Sequence, residues 1–139
     1  MEQQLVHIVG YQLMEVFTVA NFSKRSKDNL STCTQDLQDL FNEIIKIFDC
    51  SILCGFRNEE DQNKAFENGK SHLRWPNSNH NKLPSDAVDV VPYPIDWDDL
   101  ERFYRFAAFV FEKAIKMGIK VRWGGNWFNV DFPHWEIFK

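Results

Sequence analysis

Two histidines and an aspartate in the second half of the chain have the residue types of a catalytic metal centre. His80 lies in a polar stretch, Asp89 lies inside the apolar run 87–91, and His134 lies near the C-terminus. An ionised carboxylate among apolar strand residues is costly to bury unless it is paired or binds a metal. Two His nitrogens and one carboxylate leave the fourth position of a tetrahedral zinc site open, as catalytic zinc sites do. The hypothesis is therefore a zinc centre. The alternative is a hydrogen-bonded structural Asp89 beside histidines that only pack.

Two further acids flank His134. Asp131 stands three positions before it and could take a proton from a water molecule at the metal, as a general base does. An aspartate before Pro133 is equally typical of a turn. Glu136 follows two positions later, where it could orient the His134 ring or simply be an exposed strand residue.

The elements that must position these residues are predicted from apolar periodicity and from turn residues. Apolar side chains recur at three- and four-residue spacing over 35–49, with Thr32 or Thr34 as the cap, and over 97–117, with Asp96 as the cap and Gly118 at the end. A shorter helix over 59–68 ends at Gly69, and a long polar loop spans 70–86. Strands are predicted over 50–56, 87–91, 119–123, 128–130 and 134–138. This order indicates an α+β fold, with helices packed against a small antiparallel sheet.

Bulk properties limit the possible functions. The chain has 139 residues, enough for one domain, and a formal net charge of −4, which argues against a nucleic-acid-binding surface. The short basic run 24–27 is interpreted as solvated surface. No apolar run is long enough for a membrane span. Residues 1–21 carry no motif and are interpreted as an N-terminal extension to a domain over 22–139.

The N-terminus and the cysteines bear on the compartment. The start of the chain lacks a basic segment and a cleavage site, so we expect synthesis in the cytoplasm without a signal peptide. The three cysteines are an odd number, which favours a reduced compartment over a disulfide framework. A zinc pair formed by Cys50 and Cys54 is an open alternative.

The motifs around these residues resemble those of the hedgehog/DD-peptidase superfamily, in its D-Ala-D-Ala carboxypeptidase and L-alanyl-D-glutamate endopeptidase branch, which includes phage endolysins. That family has Ser-x-His, Ala-x-Asp, a Trp-rich turn, and an acidic residue three positions before a His-aromatic-Glu triplet. This chain matches the pattern, in order, at 78–80, 87–89, 123–127 and 131–136, with further similarity at 22–26, 55–57, Gln62 and 69–71. The stretch from the first His to the Asp is longer here than is usual in the family.

The resemblance implies a role for each matched residue. It implies that His80, Asp89 and His134 are the Zn²⁺ ligands and that Asp131 is the general base, with Asp86 as a less favoured rival ligand. Arg57 would bind a substrate carbonyl or carboxylate; its alternative is a surface ion pair with Glu59 or Glu60. Weaker expectations are substrate contacts by four residues, Gln62, Ser78, Trp127 and Trp135, and support of His134 by Glu136. The alternative for Gln62 is that it only supports the loop.

The resemblance also implies an activity. We expect a monomeric zinc peptidase that cuts peptidoglycan stem peptides between L-Ala and D-Glu and reaches the cell wall through a separate pore-former. Three alternatives remain open at this stage. The first is a carboxypeptidase that removes terminal D-Ala, and the second is a zinc-containing binding module without hydrolysis. A soluble α+β domain whose His and Asp residues only pack is the third.

Overall fold

A four-stranded antiparallel sheet forms the framework of the computed structural model, which describes residues 2–5 and 16–138. Its strand order is β3-β4-β6-β5, and a separate antiparallel pair is formed by β1 and β2. The strands are β1 Glu2–Leu5, β2 Val16–Val19, β3 Cys50–Cys54, β4 Ala87–Pro92, β5 Val121–Trp123 and β6 His134–Ile137. The helices are α1 Lys24–Ser31, α2 Gln35–Ile44, α3 Glu59–Glu67 and α4 Leu100–Met117, with short 3-10 helices at Asn79–Asn81 and Gly124–Asn126. The predicted α+β class is confirmed.

The sheet has one apolar face and one polar face because side chains alternate along each strand. On the apolar face Val88 pairs with Trp135 across β4 and β6, and both side chains are fully buried. Helices α2 and α4 pack against each other and cover this face, with Phe41 and Phe106 among the largest buried side chains. The residues between the apolar positions therefore point to the opposite face, which carries the site.

Several predicted boundaries move. Helix α2 ends at Ile44 rather than 49, because the amides of Lys46 and Ile47 donate to carbonyls three residues back and tighten the chain into turns. Helix α4 begins at Leu100 rather than 97, since the carboxylate of Asp99 accepts from the Arg102 amide and so caps the helix in place of Asp96.

One predicted strand is wrong, and one helix was not predicted. Residues 128–130 form no strand, because the amides of Trp127 and Asp131 both donate to the Gly124 carbonyl and fold the segment into a loop. The basic run 24–27 belongs to a helix that was not predicted, α1. Ser23 caps this helix, because its hydroxyl accepts from the Ser26 amide. Its basic side chains are exposed, as expected.

The predicted domain boundary at residue 21 stays a prediction. Strands β1 and β2 fall within the predicted extension, while Ala20 and Phe22 are buried in the core. Among the helices of the described residues, no segment combines the length and apolarity needed to cross a membrane.

Candidate metal and catalytic site

The polar face of the sheet brings the three predicted ligands together. Asp89 on β4 lies directly opposite His134 on β6, so both side chains project from the same face. His80 comes from the long loop, within the 3-10 helix Asn79–Asn81. The Ser78 hydroxyl accepts from the His80 amide, and the Asn81 side chain accepts from the Ser78 amide, which fixes this turn.

Three lone-pair-bearing atoms meet at the centre. His80 Nε2 lies 3.3 Å from His134 Nδ1 and 3.3 Å from Asp89 Oδ1, and His134 Nδ1 lies 3.5 Å from Asp89 Oδ1. Asp89 Oδ1 is buried without a hydrogen-bond donor. Three acceptors this close repel one another unless a proton or a metal ion lies between them.

The outer nitrogen of each ring has its own acceptor. His80 Nδ1 donates to the Gly55 carbonyl at 2.8 Å, and His134 Nε2 donates to Glu136 Oε1 at 2.8 Å. With the protons on the outer nitrogens, the inner nitrogens of both neutral rings carry lone pairs that face the centre. Outer acceptors of this kind are characteristic of metal-binding histidines, because they fix both the tautomer and the ring orientation.

The spacing of the inner atoms fits a tetrahedral ion. Zinc bonds to His nitrogen and carboxylate oxygen of about 2.0–2.2 Å, taken at tetrahedral angles, place ligand atoms about 3.3–3.6 Å apart. The observed separations are 3.3–3.5 Å. The donor set, the orphaned Asp89 oxygen and the spacing all suit Zn²⁺.

The charges of the cluster are coupled. Burial lowers the pKa of His80, but the Asp89 carboxylate outweighs it and raises that pKa to about 10. For Asp89 burial acts to raise the pKa, whereas His80 and His134 lower it well below its usual range. Without a metal, this coupling favours a proton on the histidines beside the Asp89 carboxylate.

Asp131 lies at the edge of this cluster, with Oδ2 at 3.8 Å from His134 Nδ1. Burial and the negative charge of Asp89 raise the pKa of Asp131 above its ordinary value. Gly124 allows the approach, because a Cβ there would overlap the Asp131 carbonyl oxygen. A half-exposed, more basic carboxylate beside the inner nitrogens is placed to accept a proton from a water molecule.

Arg57 points into the site instead of pairing with Glu59 or Glu60. Its guanidinium lies 3.4 Å from Asp89 Oδ2 and donates to Gln62 Oε1 at 3.1 Å. The Arg57 amide donates to the His80 carbonyl at 2.8 Å, which ties the end of β3 to the loop that carries His80. The contacts with Asp89 and Gln62 thus fix one edge of the guanidinium, and the group lines the cleft beside the cluster.

The Gln62 side chain holds Arg57 in place through hydrogen bonds. Its carbonyl accepts from Arg57 and from Asn81, and its amide donates to Ser71 Oγ at 3.0 Å and to the Leu73 carbonyl at 2.6 Å. The side chain is fully buried and does not line the cleft. The prediction that Gln62 contacts substrate is therefore wrong: it joins Arg57, the His80 loop and the 71–73 segment.

Glu136 holds His134 and is itself held from two directions. Its Oε2 accepts from Arg122 at 2.9 Å and from Asn79 at 2.9 Å, while its Oε1 faces His134. Hydrogen bonds from His134 and Arg122 lower the pKa of Glu136 against the opposing effect of burial. The side chain is buried, so the alternative of an exposed strand residue is excluded.

A cleft of about 950 Å³ opens over the cluster, lined by all of the residues proposed as ligands and by Asp131 and Arg57. Ser78 and Trp127 line it too, and the Trp127 ring centroid lies 4.8 Å from that of His134. Trp135 does not: its side chain is fully buried in the core, between Phe41, Phe111 and Trp123. The prediction that Trp135 contacts substrate is wrong.

Residues 18–137 match the family model described as phage L-alanyl-D-glutamate peptidase. The chain belongs to this family. The L-alanyl-D-glutamate peptidase of Escherichia phage T5 is 34% identical over 122 residues, which cover 84% of this chain and 88% of the relative. The crystal structure of the Serratia marcescens L-Ala D-Glu endopeptidase ChiX superimposes with a TM-score of 0.72 at 29% identity, covering 84% of this chain and 89% of that one.

Some residues around the site of this phage L-alanyl-D-glutamate peptidase family member were not predicted from the sequence. Arg122 and Asn79 were missed, although Arg122 faces Glu136 across the β5–β6 pair, and opposite charges on adjacent strands are a usable signal. Cys54 was considered only with Cys50. Its thiol lies with His80 and Asp89 in a group whose ligand atoms are within 4.8 Å of one another, whereas Cys50 is buried at the other end of β3.

Proposed function

We propose that the protein is a zinc-dependent endopeptidase that hydrolyses the bond between L-Ala and D-Glu in the stem peptides of bacterial peptidoglycan. The observation that carries this proposal is the convergence of His80 Nε2, His134 Nδ1 and Asp89 Oδ1 at 3.3–3.5 Å in a cleft that also contains Asp131. Family membership supplies the substrate class, since the family description and both named relatives specify the same bond.

His80, Asp89 and His134 would hold the zinc ion through their inner atoms. Bound there, zinc would lower the pKa of a water molecule to about 7 and polarise the scissile carbonyl. Cys54 is a less suitable ligand, because it does not line the cleft with the other groups. The set of two His nitrogens and one carboxylate matches that of hydrolytic zinc enzymes.

Asp131 performs the proton transfers, and Arg57 stabilises the negative charge on the substrate. The Asp131 carboxylate takes a proton from the attacking water and delivers it to the nitrogen of D-Glu as the C–N bond breaks. The products are a carboxylate on L-Ala and a free amine on D-Glu. The Arg57 guanidinium donates hydrogen bonds to the carbonyl oxygen as negative charge develops on it.

Three finer expectations belong to the same proposal and rest on the family resemblance. We expect a monomer, with Ser78 and Trp127 contacting the stem peptide. We expect the protein to reach the wall through a separate pore-former. The cell wall as the site of action follows from membership in the family.

Mass spectrometry of purified peptidoglycan fragments after digestion tests the proposal. The endopeptidase produces new N-terminal D-Glu, whereas a carboxypeptidase removes terminal D-Ala. The Asp131→Ala variant should produce neither. If the wild-type protein produces no new D-Glu terminus, the proposed function is wrong. If Asp131→Ala keeps full activity, the proposed mechanism is wrong, because Asp131 is then not the general base.

A further inference from the structure

The two sides of the cleft differ in charge and polarity. One side, called here the lysine wall, consists of Lys70, Ser71 and His72. The other side, called the aromatic wall, consists of Trp97, Trp127, Phe128 and Val130. All seven residues line the cleft.

The strand order places these walls at opposite edges of the sheet. The lysine wall is anchored beside Arg57, at the end of edge strand β3, by the hydrogen bond from Gln62 to Ser71. Three residues of the aromatic wall belong to the connection from edge strand β5 to β6. Trp97 joins them, because its ring stacks on Phe103 at 5.9 Å and Phe103 lies 5.5 Å from Phe132 of that connection.

The cationic side chains of the cleft are on one side. Apart from the histidines, Arg57 and Lys70 are the basic residues that line it, and both stand at the β3 edge. Among the described residues Lys70 has no ion-pair partner, whereas Arg57 is partly engaged by Asp89. Lys70 is therefore available to an anion that enters the cleft beside Arg57.

The aromatic wall presents apolar surface to solvent. Phe128 is fully exposed, and Trp97 and Val130 each have about half of their surface exposed (52% and 53%). Among the described residues, Asp131 is the charged side chain that the connection from β5 to β6 contributes to the cleft. Clustered exposed apolar groups beside a site indicate a surface that a ligand covers.

The proposed substrate has the same asymmetry. On one side of the scissile bond, L-Ala is joined through a lactyl group to a sugar, a neutral arm with apolar C–H faces. On the other side, D-Glu continues the chain through its γ-carboxyl group, which leaves its α-carboxylate free and anionic next to the reacting bond. A charged group close to one end and an apolar arm at the other can fix the direction in which the peptide lies.

We propose that the lysine wall binds the α-carboxylate of D-Glu through Lys70 and His72, and that the aromatic wall receives the lactyl-sugar arm of L-Ala. This assignment rests on the proposed function and adds to it the direction of the substrate in the cleft. Lys70 supplies a charged hydrogen bond, and His72 supplies a ring nitrogen donor.

The lysine wall is tested with two synthetic stem peptides, one with D-Glu and one with D-isoglutamine, whose α-carboxylate is replaced by a neutral amide. The wild-type enzyme should cleave the D-Glu peptide with a kcat/KM higher by about tenfold, the size of effect of a hydrogen bond to a charged group. Lys70→Met should reduce this preference to within about twofold, mainly through KM. Lys120→Met removes an exposed lysine that does not line the cleft and should leave the preference unchanged.

The aromatic wall is tested with the D-Glu peptide with and without its disaccharide. Phe128→Ala should lower kcat/KM for the disaccharide-bearing peptide by about three- to tenfold, since one aromatic contact is lost, and should lower it much less for the free peptide. Phe128 is fully exposed, so the variant loses no packing. Ile115→Ala, at an exposed site on α4 outside the cleft, is the matched control.

The outcomes separate this inference from the function on which it rests. A wild-type enzyme that cleaves both peptides at the L-Ala–D-Glu bond with equal efficiency supports the function and overturns the role of Lys70. A Phe128→Ala variant that loses activity equally on both substrates overturns the sugar-side assignment. Absence of any cleavage at that bond by the wild-type enzyme contradicts the function itself, and the direction of binding with it.

Discussion

Each histidine of the proposed centre has one ring nitrogen that faces inward and one that is bound to an outer acceptor. For His80 the acceptor is the Gly55 carbonyl, which no side-chain substitution removes. For His134 it is Glu136, which Arg122 and Asn79 also contact. The orientation of the His134 ring therefore depends on Glu136 and on the two side chains that hold Glu136. Unlike the Gly55 carbonyl, Glu136 is an outer partner that a single substitution can change.

Glu136→Gln tests that support. The variant keeps the shape of the side chain but removes the negative charge that binds Arg122 and favours the proton on His134 Nε2. Loss of an outer partner of this kind typically costs about 10–100-fold in metal affinity or activity. Chelator competition for zinc should show this weakening, whereas Glu112→Gln, at an exposed site on α4, should bind zinc like the wild type. Equal affinity in both variants would show that Glu136 does not support the metal site.

The Asp131→Asn variant tests whether Asp131 acts as a general base or as a metal ligand. The amide cannot accept the proton of the attacking water, so kcat should fall by about 10²–10⁴-fold. Zinc content should stay at the wild-type level, because Asp131 Oδ2 lies outside the three inner atoms, at 3.8 Å from His134 Nδ1. Parallel loss of zinc and activity would instead make Asp131 a ligand.

At this scale the sequence predicted which residues meet, because His and Asp within family-like motifs are specific signals. It did not predict the contacts that depend on which way a side chain points. Trp135 illustrates this: in a strand that turns His134 to the site, the next residue faces the core. That alternation was available from the predicted strand. The burial of Gln62 was not, because it results from four hydrogen bonds to separate segments.

The loop between β5 and β6 is the element that places Asp131, and Gly124 is its critical residue. Gly124→Ala should shift Asp131, because the added Cβ would overlap the Asp131 carbonyl oxygen and crowd the Cβ of His134. A misplacement of about 1 Å at a catalytic group can cost about 100-fold in rate.

The expected result for Gly124→Ala is a fall in kcat together with a lower melting temperature of the zinc-free protein, because the overlap with a backbone oxygen forces the loop to shift. Asn126→Ala, in the same 3-10 helix but exposed, provides the control. Wild-type kcat in the Gly124→Ala variant would mean that this loop does not position the base.

Elements with strong periodicity were the easiest to predict. Helix α4 has a broad apolar face and a left-handed glycine at its end, with φ of 71° at Gly118, and its end was predicted correctly. Helix α1 was missed because it is short and mostly polar, with Ser26 and Leu30 as its buried residues. Residues 128–130 have the composition of a strand, but without a partner for their backbone groups they form the exposed part of the cleft.

The stability of the whole molecule depends on what binds the inner histidine nitrogens, because a zinc ion and protons would compete for them. The folded-state pKa of His80, about 10, is raised above the ordinary value of 6.5. The stability from this protonated group is complete below pH 6.5 and is lost as the pH rises towards 10. The melting temperature of the zinc-free protein should therefore fall across this window.

The zinc-bound protein should behave differently, because zinc binds the deprotonated histidines and is favoured by rising pH. Thermal unfolding from pH 6 to 10, with and without zinc, should show a stabilisation by zinc that grows with pH. His80→Ala should reduce the fall in the zinc-free protein, leaving the part due to His134, and should abolish the gain on zinc addition. A zinc-free melting temperature that stays level across the window would contradict the proposed protonation of the cluster.

Titration of the metal-free enzyme with zinc, monitored by the release of new N-terminal D-Glu from peptidoglycan, tests the central claim most directly. Activity should be absent without metal, rise in proportion to added zinc and level off at about one equivalent, the stoichiometry of a single tetrahedral site. His134→Ala should remain inactive throughout. Full cleavage by the metal-free wild-type protein, or undiminished cleavage by His134→Ala, would contradict the claim that His80, Asp89 and His134 form a catalytic zinc site.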